Sequence, residues 1–61
     1  MKSGDIVKYK NETDGEKAMR LDGHIMRIVW VDSPRAMVRF EMGMTICPVT
    51  IHNAEDLELA N

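Results

Sequence analysis

The 61-residue sequence predicts a single small all-β domain of five strands. Three observations lead there. Apolar and polar residues alternate with a period of two in short segments, Gly, Pro, Asn and Asp turns separate those segments at regular intervals, and no 3.6-residue periodicity runs long enough for a stable helix. A chain of this length holds one core at most and buries only about 60% of its unfolded surface, so marginal stability as a monomer is expected.

The elements follow in order. Asp5 to Lys10 alternates, with Val7 and Tyr9 on one face and Ile6, Lys8 and Lys10 on the other, as a half-buried strand does. From Asn11 to Gly23 the composition turns polar, and Asp14-Gly15 and Asp22-Gly23 read as turns around a short strand arm, Lys17 to Leu21. This long loop is the segment expected to move most. His24 to Asp32 is the strongest apolar run and is apolar on both faces: Ile25, Val29 and Val31 on one, Met26, Ile28 and Trp30 on the other. Such a strand either bends to serve two halves of a barrel or turns its second face to another subunit.

Ser33-Pro34-Arg35 breaks that run, and the next strand alternates cleanly, with Ala36, Val38 and Phe40 inward and Met37, Arg39 and Glu41 outward. The two strands form a hairpin. Gly43 permits a tight reversal into Met44 to Cys47, where Pro48 donates no ladder hydrogen bond and marks an edge, bulge or bend. Val49 to Ile51 resumes the extended pattern. Asn53 to Asp56 has the composition of one tight turn, 3₁₀ in type, before Leu57 to Leu59 closes the chain as a last short strand.

Composition narrows the function classes. The chain carries eight basic and ten acidic residues for a formal charge of −2, without the basic excess that drives general phosphate-backbone binding. Cys47 is the sole cysteine, so no disulfide within the chain can reinforce the small core. Cys47, His24 and His52 also lack the paired spacing of a zinc site. Self-association becomes the leading remedy for marginal stability. No signal-peptide pattern or membrane-length apolar run is present, and with one unpaired cysteine the expected location is the cytoplasm. Asn11-Glu12-Thr13 then reads as polar loop and not as a glycosylation site.

The order of elements, from the Gly4-Asp5 opening through a long polar first loop, a central hairpin, a fourth strand, one tight turn and a short closing strand, resembles the SH3-like small barrels, including KOW-type modules. The resemblance implies a five-stranded barrel. It leaves function open, because this architecture hosts peptide binders, nucleic-acid binders, accessory subunits and enzymes. Locally, Gly4-Asp5, Gly23-His24-Ile25, Val49-Thr50-Ile51-His52 and Leu57-Glu58 are similar to the plasmid-borne type II dihydrofolate reductases, short chains that assemble around a pore. That likeness implies Thr50, Ile51 and His52 as candidate catalytic residues and NADPH as cofactor. Thr50 stands where the family has a glutamine and is too short to present an amide. His52 replaces a tyrosine, and Tyr9 falls where a cofactor-binding lysine is expected, between Lys8 and Lys10.

Read from its own residues, His52 can titrate near neutral pH, but no carboxylate sits at a spacing that would position it, and a hydrogen-bonded strand-end histidine explains it. Cys47, between Ile46 and Val49 apart from Pro48, reads as a buried thiol. Lys8, Lys10 and Arg27 are the candidate phosphate contacts if an aromatic ring stacks nearby, against the plainer reading of a solvated outer face. Six methionines exceed what so small a core can hide. The expected working surface is therefore apolar, with Met26, Trp30, Met37 and Arg39 contacting a second copy of the chain or a larger protein. No cofactor, no metal and no membrane enter this reading, and it describes a non-enzymatic binding or accessory module.

Overall fold

A computed structural model describes residues 1–43 and 45–60, with 45–47 described by their backbone alone. The element order is β1 (Ile6–Tyr9), α1 (Asp14–Leu21), β2 (His24–Asp32), β3 (Arg35–Met42), β4 (Thr45–Asn53), a 3₁₀ turn (Ala54–Asp56) and β5 (Leu57–Leu59). The strands make one antiparallel sheet in the order β4-β3-β2-β1-β5. The chain meanders from β1 to β4, and the 3₁₀ turn then carries β5 back to pair with β1.

Alternation placed most of the core. Val7, Met26, Ile28, Ala36, Val38 and Leu57 are buried together, and Tyr9, Val31, Phe40 and Ala54 pack against them. The inward faces expected for β1 and β3 are the ones observed, and the 3₁₀ turn and β5 stand where the sequence puts them. Pro48 sits at a register shift, since Arg39 faces Val49 but Glu41 faces Ile46, which leaves one extra residue on β4. Gly43 takes a left-handed φ of 59° at the β3–β4 reversal, a conformation that disfavours any side chain with a Cβ. The burial expected of Cys47 falls on a side chain outside the described residues.

β2 does not keep one alternation along its length. Between Ile28 and Trp30 the register with β3 shifts, leaving Val29 as the bulged residue. The alternation changes phase there. Met26 and Ile28 point into the core, and beyond the bulge it is Val31 that packs inward while Trp30 turns out. The two apolar faces read from sequence are thus two halves of one strand, each inward in its own stretch. Met26, expected on the partner surface, is only 6% exposed and belongs to the core.

The segment from 11 to 23 also departs from expectation, because Asp14–Leu21 is an α-helix and not a loop with a strand arm. Its signals are terminal ones. Thr13 Oγ1 accepts the Glu16 N–H at 3.1 Å and Glu16 Oε1 accepts the Thr13 N–H at 2.8 Å, a complete capping box. Asp14 and Glu16 complement the dipole at one end and Arg20 at the other, where the Asp22 N–H donates to the Ala18 carbonyl and Gly23 follows with a φ of 95°. Arg20 reaches back to Glu12 in a two-pronged pair of 2.7 and 3.0 Å. Only Ala18, Met19 and Leu21 of its eight residues are apolar and none is fully buried, a pattern too short to stand out as helical periodicity in the sequence. Replacing Thr13 with alanine is expected to cost about 1 kcal/mol of helix stability. Faster amide exchange confined to 16–22, with the sheet unchanged, is the result that checks it.

Candidate interaction face

The bulge in β2 creates the most distinctive surface of the molecule. Trp30 is paired with Met37, and Met37 with Ile51, so three apolar side chains from β2, β3 and β4 lie in one row across the outer face of the sheet. With strands about 4.8 Å apart, the row spans roughly 10 Å. Trp30 is 56% exposed and Ile51 62%, with Met37 half-buried between them and Val49, 42% exposed, two residues along β4.

Beside the row, on the same face, Arg27 and Arg39 are cross-strand partners that share one carboxylate. Glu41 Oε2 accepts from Arg27 Nε at 3.0 Å and from Arg39 Nη2 and Nε at 3.1 and 3.3 Å. Arg27 also donates to the Gly4 carbonyl at 3.0 Å, tying β2 to the chain entering β1. The hydrogen bond from Arg39, then that from Arg27, holds the Glu41 carboxyl below its ordinary 4.5, against the opposing effect of partial desolvation. A depressed carboxylate contributes stability that is complete above the unfolded-state value and is lost as pH falls through the lower folded-state one. Glu41→Gln is therefore expected to lower thermal stability near neutrality and to flatten its fall with pH below 4.5. Melting curves across the acid range check this.

The row ends on a sheet edge. Among the described residues β4 is paired with β3 alone, and its stretch from Val49 to Asn53 contains no charged residue. The Ala54 N–H donates to the Pro34 carbonyl at 2.8 Å, and this fixes the phase of the ladder. Antiparallel alternation then directs the N–H and C=O groups of His52 and Thr50 to β3 and those of Ile51 and Val49 away from the sheet. The opposite edge is different. β5 has three residues, Glu58 on it pairs with Lys8 at 3.6 Å, and the Ala60 N–H is bonded to the Ile6 carbonyl.

Of the residues singled out from sequence, Trp30, Met37 and Arg39 are brought together here, whereas Met26 is not. Alternation splits the other candidate trio. Ile51 faces outward while Thr50 and His52 lie on the inner side, where Thr50 Oγ1 is 2.8 Å from His52 Nε2 and the His52 ring meets Tyr9 edge-on at 5.6 Å. Lys8 and Arg27 share the outer face, yet each is tied to a carboxylate, and exposed Lys10 lies just beyond β1. Sequence reasoning missed Ile51 and Val49 as parts of the face. Neither is marked by residue type; each gains its role from the position of β4 at the sheet edge. Comparison with protein-family models, curated proteins and solved structures found no match to the chain.

Proposed function

We propose that the chain is an SH3-like small barrel acting as a non-enzymatic accessory module that self-associates through the β4 edge and the apolar row ending on it. The meander of four strands, the bulge in β2 and the return of β5 to β1 after a 3₁₀ turn support the SH3-like assignment. The single observation that carries self-association is the stretch Val49 to Asn53: long, uncharged, with exposed apolar side chains and outward backbone groups. β5 is protected by charge and brevity, and β4 carries Pro48 and a bulge before Val49; the stretch that follows has neither charge nor proline.

A second copy fits this edge best, because an antiparallel partner about a two-fold axis offers the same uncharged stretch in return. Val49 and Ile51 of each copy then exchange hydrogen bonds and pack side by side. The two rows join into one apolar stripe with Trp30 at each end, a surface that such a pair presents to a larger protein. Phosphate binding and reductase chemistry draw less support, given carboxylate-tied Lys8 and Arg27 and the division of Thr50, Ile51 and His52 between two faces. Sedimentation equilibrium of the wild-type chain is the test. A mass rising from monomer to dimer with concentration is expected, and a strict monomer at millimolar concentration removes the reading.

A further inference from the structure

A second feature lies away from this edge. Between α1 and the inner face of the sheet is a cavity of about 230 Å³, lined by apolar Val7, Met26 and Phe40, by Tyr9 and His24, and by Met19 from the helix. Glu16, Met19 and Arg20 share one face of α1 by their i, i+3, i+4 spacing, and all three line the same space. The helix buries none of its residues, so it stands over an apolar hollow without filling it.

Volume and charge limit what would fit. A cavity of 150 Å³ with apolar walls stays dry and accepts benzene. The larger hollow here suits a bicyclic aromatic, still below the size of a typical drug-binding pocket. At its border the Arg20 guanidinium is committed to Glu12, and Lys8, which alternation turns to the outer face, has Glu58 3.6 Å away. Glu16 is the carboxylate left over: it accepts the Thr13 N–H and forms no ion pair among the described residues. Its charge reaches the lining, since burial first and the Glu16 carboxylate second push the Tyr9 hydroxyl above its ordinary 10.0.

We propose that this cavity, open on one side, binds a compact aromatic amine, its ring system set between Met19 and Phe40 over a floor of Val7 and Met26 and its ammonium group set against Glu16. Met19 covers the ring from the helix side, while Tyr9 and His24 give the wall its polar edge. An anionic analogue is disfavoured by the same carboxylate. The site shares no residue with the β4 edge and does not depend on self-association.

Three probes of one shape and different charge test it: tryptamine, indole and indole-3-acetate, titrated into the full chain and followed by amide chemical shifts. The expected order of affinity is tryptamine, then indole, then indole-3-acetate, with about tenfold between the first two. Shifts should fall on α1, Val7, Met26 and Phe40, not on Trp30 and Ile51. Glu16→Gln keeps a side chain able to complete the capping box, and should erase the preference for tryptamine over indole without weakening indole. Absence of shifts with all three probes at millimolar concentration, equal or reversed affinities, or shifts centred on Trp30 would each overturn the proposal.

Discussion

Ile51→Lys is expected to abolish self-association while leaving the fold intact. The side chain is 62% exposed, so lysine meets no packing cost within one copy. Across a two-fold axis the change acts twice: apolar contact is lost on both sides and two ammonium groups are brought close, the device by which natural edge strands avoid pairing. Partial burial of two isoleucines at about 25 cal/mol per Å2 is worth roughly 3 kcal/mol, on the order of a hundredfold in dissociation constant. Trp30→Ala distinguishes edge pairing from face packing. Trp30 lies two strands from the edge, so its removal should change dimerisation less than about threefold. Loss of the dimer in Trp30→Ala but not in Ile51→Lys would mean that the copies meet face to face.

The second large effect concerns the core. Leu57 is 1% exposed and sits at the point where the 3₁₀ turn delivers β5 to β1, opposite Tyr9. Truncating a buried leucine to alanine costs about 2–5 kcal/mol. At 0.05–0.15 kcal/mol per residue, a chain of this length has about 3–9 kcal/mol in total. Leu57→Ala should therefore lower the melting temperature by well over 10 °C or leave the isolated chain largely unfolded. Leu59 is two residues along the same short strand and 51% exposed, and Leu59→Ala should stay within about 0.5 kcal/mol of wild type. Comparable losses for the two leucines would contradict the description of β5 as a strand buried at its first residue.

What was legible in the sequence follows from which forces leave a local trace. The alternation of β1 and β3, the closing 3₁₀ turn and the buried Leu57 arise from a period-two pattern or from turn residues, and both are written in consecutive positions. The bulge at Val29 is not, because a single extra residue reverses the alternation without any marker in residue type. That reversal moved Trp30 outward and left Met26 in the core. Helix α1 was missed for the complementary reason. Its clearest marks, Thr13, Glu16, Arg20 and Gly23, stand at its ends, and its eight residues hold too few apolar positions for periodicity to show. The interaction face was half legible: Trp30, Met37 and Arg39 stood out by type. Ile51 and Val49 became informative only once β4 was known to lie at the edge of the sheet.

Hydrogen exchange at two amides tests the central claim most directly. In one copy the N–H groups of Val49 and Ile51 point away from the sheet, while those of Thr50 and His52 are held by β3. Measured at low and high protein concentration, Val49 and Ile51 should go from fast exchange to protection as the chains pair, with Thr50 and His52 protected throughout. Exchange at Val49 and Ile51 that is equally fast at both concentrations would contradict pairing through the β4 edge.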